Sequence, residues 1–222
     1  PGKQLHLYYQ AQIDNNHKTI GAEALLRWVH PVRGFVPPGQ FIPIAEDSSL
    51  ILDIGKWVIE TACRQLSLWS KNQKTKNLTI AVNVSAKQFM LSDFVRNIAI
   101  FLDLYDVEPA LLKLELTESV IMSDITLVIA KMKDLRNLGV RLSLDDFGTG
   151  YSSLSYLKQL PLDQLKIDQS FVRDIVSDPN DAVMVHTIIN MAQNFHLDII
   201  AEGVETQEQL SLMKKLKMKY DI

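Results

Sequence analysis

Two aspartates, Asp145 and Asp146, stand side by side in the stretch from Arg141 to Leu154, where a short alternating strand from Val140 to Leu144 runs out. Adjacent anions repel unless a cation lies between them, so the pair reads as a candidate metal site. Gly148 and Gly150 follow at once and let backbone approach a bound group. The same string also reads as a strand-to-helix turn with Asp146 or Ser152 capping the next helix. Other residues of the same chemistry weigh on that choice.

Glu23, Asn83, Glu115 and Glu202 fall, like the aspartate pair, on or just after stretches with strand character. All are oxygen donors, the set that Mg2+ or Mn2+ favours, whereas zinc or copper would ask for His and Cys. Five carboxylates exceed what one divalent ion balances. Two ions roughly 3.5–4 Å apart, sharing a carboxylate and a water, would make such a site tolerable. With Lys166 and Arg27 added, the set forms a cationic clamp for a phosphodiester, in which the acidified water attacks phosphorus in line. Each residue also has a plainer reading. Glu23 could face solvent, Asn83 could cap a helix, Glu115 and Glu118 could be surface charges, and Lys166 could pair with Asp168. One explanation covers all of them only if they share a site. The histidines His6, His17, His30, His186 and His196 show no ligand spacing and no partner for a serine nucleophile. No G-x-x-x-x-G-K-[ST] string is present, which removes a P-loop.

The elements that must position these residues follow from periodicity. Leu5 to Ile13 and Thr19 to Trp28 read as a hairpin closed by the turn Asp14 to Lys18. Pro31 to Pro38 reads as an irregular loop. Helices are expected over Gln40 to Glu46, Leu50 to Ser70, Phe94 to Tyr105, Ile125 to Leu138, Ala182 to Phe195 and Gln207 to Leu216. Gly139 is placed to stop the fourth of these. Strands are expected over Leu78 to Val84, Leu112 to Leu116, Val140 to Leu144, Leu162 to Ile167 and Leu197 to Ala201. From Leu78 onward strand and helix alternate, which calls for a parallel sheet with helices outside it. Strands ending on polar residues bring them to one face of a closed barrel, whereas an open sheet would spread them along an edge. The expectation is therefore an α/β, TIM-like (β/α)8 barrel. The pattern holds seven strands where such a barrel has eight, so the last strand is expected to be missing from this fragment.

Composition excludes several classes. Twenty-six acidic against 23 basic residues give a formal charge of -3, which argues against a duplex nucleic-acid or membrane-surface binder. Cys63 is the one cysteine, so no intramolecular disulfide can form. It sits in an apolar-periodic stretch that suits a buried structural thiol. No apolar run approaches the ~20 residues that span a bilayer. The expectation is a cytoplasmic domain without direct membrane contact, whose parent protein can still be membrane-attached.

The stretch from Glu23 to Arg27 resembles the signature of the EAL domains, the bacterial cyclic di-GMP phosphodiesterases. Asn83 to Ser85, Glu115 to Ser119, Asp145 to Ser153, Leu165 to Asp168 and Ala201 to Glu205 are similar to the family's other motifs, in the same order and over nearly the whole chain. The resemblance implies a single domain over 1–222, a variant barrel whose first strand runs antiparallel to the rest. It implies hydrolysis of cyclic di-GMP to linear pGpG with two Mg2+ or Mn2+ ions, in second-messenger signalling. Glu23, Asn83, Glu115, Asp145, Asp146 and Glu202 would surround the metals, and Lys166, Glu202 and Asp146 would serve catalysis. Lys166 would contact the attacking water or the phosphate, with Asp168 beside it. Arg27 would hold a phosphate, and Gln10 would lie near a guanine. Glu118 would steady the loop Phe147 to Leu154, which couples the site to a homodimer interface in the family. Sensor or GGDEF-type domains would flank the domain. Ala11 stands where the family usually has proline, and a late glutamine, the last strand and a leading helix of the family pattern fall outside residues 1–222. Another class is a catalytically silent receptor that binds cyclic di-GMP and signals through a partner domain. Such receptors commonly lose metal ligands or the loop sequence, and both are intact here. An enolase-type Mg2+ barrel would instead need a Lys or His base opposite three acids with no phosphate clamp.

Overall fold

The computed structural model describes residues 4–121, 124–148 and 157–218. The chain forms two compact units, Pro1–Leu116 with Ala130–Arg141, and Thr117–Ile129 with Leu142–Ile222.

The first unit opens with β1 (Leu5–Ile13) and β2 (Thr19–His30), paired antiparallel. Their turn is set by Asp14, whose Oδ1 accepts from the N–H groups of Asn16 and Lys18 at 2.8 and 2.9 Å. A short β3 (Gly34–Val36) pairs with the far end of β2, so part of the expected loop Pro31 to Pro38 is a strand. On its other side β2 runs parallel to β4 (Thr79–Val84), and β4 parallel to β5 (Leu112–Thr117). Gly21 makes the β2–β4 approach possible, because a Cβ there would stand 2.2 Å from Thr79 Oγ1. Ile80, Ala81, Val82, Leu112, Leu114 and Leu116 are fully buried, as expected of parallel strands covered on both faces.

The helices of this unit are α1 (Pro38–Asp47), α2 (Leu50–Trp69), α3 (Ala86–Met90), α4 (Phe94–Leu104) and the later part of α6 (Ile125–Asn137). Ile51, Gly55, Val58, Ile59, Ala62, Cys63 and Leu66 recur at helical spacing on α2 and form its buried face. Cys63 lies in that core, and burial pushes its thiol up to about 12. It is a packing residue, not a nucleophile. Gly139 ends α6 as expected: its φ is +93°, and Val140 N–H reaches back to the Leu135 carbonyl at 3.1 Å.

The second unit holds α5 (Glu118–Ile121) and three parallel strands, β6 (Arg141–Phe147), β7 (Gln164–Ile167) and β8 (Asp198–Ala201). The helices α7 (Gln169–Arg173) and α8 (Pro179–Asn194) come between β7 and β8 in the chain, and α9 (Gln207–Met218) follows β8. Asp163 aligns them: its Oδ2 accepts from Leu142 N–H at 2.8 Å, and its carbonyl accepts from Asp198 N–H at 2.9 Å. Strand β6 runs on to Phe147, so Asp145 and Asp146 lie within it and not beyond its end. Eight strands are found among the described residues against seven expected, the addition being β3. No helix among the described residues is long and apolar enough to cross a membrane.

Candidate active site

In the first unit the register decides which side chains share a face. Gln10 pairs with Glu23, Glu23 with Ala81, and Asn83 with Glu115. Strand side chains alternate, so Asn83, two residues past Ala81, points the same way as Glu23, Gln10 and Glu115. Asn83 Nδ2 donates to Glu23 Oε1 at 2.7 Å, so Asn83 is tied to the acid and does not cap the next helix. Ser85 is that cap, its hydroxyl accepting from Gln88 N–H at 3.2 Å. Glu115 is 1% exposed, which is not the exposure of a surface charge. Arg27, four residues along β2 from Glu23, shares this face. Its guanidinium lies 6.0 Å from the Tyr8 ring centre and donates to the Leu26 carbonyl.

In the second unit the register breaks where the chemistry sits. Leu144 pairs with Leu165 and Phe147 with Ile167, which leaves Asp145 and Asp146 opposite Lys166 alone. This is a β-bulge, and it turns two successive residues of one strand toward one residue of the next. Asp146 takes the strain, with φ at +54°. Its N–H donates to Asp145 Oδ1 at 2.9 Å, which helps fix the bulge.

Lys166 is 1% exposed and its ammonium lies between two carboxylates, 3.0 Å from Asp145 Oδ2 and 2.6 Å from Glu202 Oε1. Lys166 is thus paired with Asp145 and Glu202. Asp168 instead caps α7, accepting from the N–H and hydroxyl of Ser170. Burial pushes the Asp146 carboxyl above its ordinary value, the charges of Asp145 and Asp168 add to this, and Lys166 opposes it. For Asp168 burial acts upward too, but hydrogen bonds from Ser170, Asp146 and Gln169 outweigh it and hold the group low. Glu118 is buried at the start of α5 and its Oε1 accepts from Gly148 N–H at 3.1 Å. That bond holds the chain one residue after β6. The rest of the expected coupling loop, Thr149 to Leu154, and Ser152 as a cap lie outside the described residues.

Among the described residues no three His, Cys, Asp or Glu side chains are gathered as a ready metal cage. The donors still have the chemistry of a hard-cation site, being carboxylates and one amide with no imidazole or thiolate among them. Gln209, which nothing in the residue pattern had singled out for a role, is buried and bonded to the loop that follows Glu202. The string Thr206-x-x-Gln209 carries a helix-start signal, but not its distant partner.

A model of the EAL domain family matches residues 2–220. The bifunctional diguanylate cyclase/cyclic di-GMP phosphodiesterase MucR of Pseudomonas aeruginosa is 44% identical over 215 residues, covering 96% of this chain and 31% of that protein. The cyclic di-GMP phosphodiesterase PA2567 of the same organism is 39% identical over 210 residues, covering 94% of this chain and 35% of that protein. The chain thus spans about a third of the length of these curated relatives. Among solved structures, the PaMucR phosphodiesterase in complex with c-di-GMP has a TM-score of 0.93 at 44% identity, over 96% of this chain and 87% of that one. The EAL domain of Mycobacterium smegmatis DcpA has a TM-score of 0.82 at 36% identity, over 96% and 87% of the two chains. These likenesses show the fold, an α/β variant of the TIM-like barrel whose first strand is antiparallel to the second. The ordered motifs, the antiparallel opening and a family match from residue 2 to residue 220 lead to one conclusion: the chain belongs to the EAL domain family.

Proposed function

We propose that this chain, as one domain over 1–222, hydrolyses cyclic di-GMP to linear pGpG with two Mg2+ or Mn2+ ions per site. The observation that carries the reading is the buried ammonium of Lys166 held between Asp145 and Glu202. Two carboxylates against one lysine leave an excess of negative charge, which favours a further cation there. In this reading Glu23, Asn83, Glu115, Asp145, Asp146 and Glu202 hold the ions. When bound, the ions acidify the attacking water and neutralise the phosphate. The relatives named as cyclic di-GMP phosphodiesterases support the substrate.

The chain's own groups have separable tasks. Lys166 carries a fixed positive charge that draws a phosphate oxygen or orients the water. Glu202, half-exposed beside it, accepts the proton the water loses. Water adds to phosphorus, one ring P–O bond breaks, and the leaving oxygen takes up a proton from solvent as the ring opens to the linear dinucleotide. Arg27 pairs with a phosphate and Gln10 hydrogen-bonds a guanine, so both contribute to binding more than to turnover. Asp168 fixes the start of α7, beside Lys166 in the chain. Glu118 keeps Gly148, and with it Asp145 and Asp146, in place. The domain works in the cytoplasm, in a longer protein with sensor or GGDEF-type domains, and pairs with a second copy of itself.

The test is to incubate the purified chain with cyclic di-GMP and MgCl2 or MnCl2 and separate the products. The expected outcome is pGpG, suppressed by EDTA. Binding with no product would favour the receptor reading instead.

A further inference from the structure

Gln209 is a buried glutamine, 7% exposed, whose side-chain amide is bonded at both of its heads. Its Oε1 accepts from Glu205 N–H at 2.8 Å and from Thr206 N–H at 2.9 Å. Thr206 returns the favour to the helix, its Oγ1 accepting from Gln209 N–H at 3.2 Å. Thr206 and Gln209 therefore form a reciprocal capping box at the start of α9. Glutamate would serve in that box as well as glutamine.

The difference lies in the other half of the amide. Gln209 Nε2 donates to the carbonyl of Arg173 at 3.1 Å, and Arg173 is the last residue of α7. A carboxylate has no proton to give there and would face the carbonyl oxygen with its own charge. At the opposite end of α7, Gly203 lies so close to Gln169 that a Cβ would stand 2.8 Å from the Gln169 Cβ, with φ at +68°. The loop 202–206 is thus held to α7 at two points, Gly203 against its first residue and Gln209 against its last. Glu202 opens that loop. Its N–H donates to the Ile167 carbonyl at 3.1 Å, and its Oε1 faces Lys166.

We infer that Gln209 is a positioning residue, tethering the loop 202–206 to α7 through Arg173 and thereby holding Glu202 against Lys166. The inference deepens the phosphodiesterase reading and rests on it for the effect on turnover. Partners that orient a functional carboxylate from behind typically matter 10- to 100-fold, roughly the loss expected when the tether is cut.

The experiment compares Gln209→Glu with Gln209→Met in the full chain, measuring Mg2+-dependent hydrolysis of cyclic di-GMP, thermal midpoint and amide hydrogen exchange by NMR. Gln209→Glu keeps the capping box, so the exchange of the Thr206 amide stays near wild type, while the midpoint falls because a buried carboxylate now faces the Arg173 carbonyl. It loses the bond to Arg173, so the Glu202 amide exchanges faster and kcat falls roughly 10- to 100-fold with KM unchanged. Gln209→Met loses the box as well, and its midpoint drops. A Gln209→Glu variant with wild-type kcat overturns the inference, whatever its exchange, because Gln209 is then a helix cap only. A fall in kcat without faster exchange at Glu202 overturns it too, because the loop has not moved. If the wild-type chain gives no pGpG, the phosphodiesterase reading fails by itself. Glu202 exchange then decides the tether, faster in Gln209→Glu supporting it and unchanged overturning it.

Discussion

Of the buried lysines, Lys131 in the first unit and Lys166 in the second are satisfied in opposite ways. Lys131 on α6 is 8% exposed, and its ammonium donates to the carbonyls of Phe89 and Leu91 at 2.9 and 2.6 Å, above the Phe89 ring. Neutral carbonyls at the end of α3 leave its charge unbalanced but fix the turn between α3 and α4. Lys166 is more deeply buried and lies between Asp145 and Glu202. There the charge is more than balanced. A cation set among carbonyls braces a backbone turn, whereas a cation outnumbered by carboxylates keeps a local negative charge that another positive group can use.

The largest expected effect separates the two sites by activity. Asp145→Asn removes one anion beside Lys166 and should lower turnover on the order of 10²- to 10³-fold. Full turnover of that variant under Mg2+ would sink the two-ion scheme. Lys166→Ala should cost turnover more than binding, read as kcat against Kd for cyclic di-GMP. Equal losses in both would make Lys166 a simple anchor. Lys131→Met should leave kcat close to wild type, and a drop as large as that of Lys166→Ala would erase the distinction between the two lysines.

Stability supplies the next largest contrast. Lys166→Met leaves Asp145 and Glu202 facing each other and should cost about 3 kcal/mol, the low end for a broken buried pair because Glu202 is 28% exposed. Lys131→Met deprives two carbonyls of their donor and should cost about 1–3 kcal/mol. Glu23→Gln is the control from a regular strand. Its Oε1 can still accept from Asn83, so urea melts should shift by no more than ~0.5 kcal/mol while turnover collapses. A large loss of stability in Glu23→Gln would mean that this carboxylate is held for structure.

Much of this was legible in the sequence, for reasons that differ by residue. Alternation and β-rich composition locate the hairpin, and the register of Gln10, Glu23, Asn83 and Glu115 follows once the strands are in place. The short helices α3, α5 and α7 were not legible, because four or five residues are too few to show a helical period. The bulge was hidden for another reason. Nothing in the residues Leu144 to Phe147 says that two of them will face Lys166 alone, since that count belongs to the pairing and not to either strand. Gln209 divides in the same way: its capping box can be read locally, but its bond to Arg173 reaches 36 residues back. Lys131 gave no signal, as its partners are backbone carbonyls that any sequence would supply.

The smallest expected effect tests the carbonyl-bound lysine by pH. Burial lowers the Lys131 pKa below its ordinary 10.5, and the negative charge of Asp93 only partly offsets this. Between the folded value and 10.5 the unfolded chain therefore holds the proton more often than the folded chain does. Stability must then rise with pH across that window, and the contribution is complete above 10.5 and lost as pH falls through the folded value. Lys131→Met has no proton to exchange at this position. The free-energy difference between wild type and Lys131→Met, from urea melts, should accordingly grow in favour of wild type as pH climbs toward 10.5. A difference that shrinks over the same range would mean that the folded state raises this pKa. In that case Lys131 is held by negative charge, as Lys166 is, and the two lysines are not opposites.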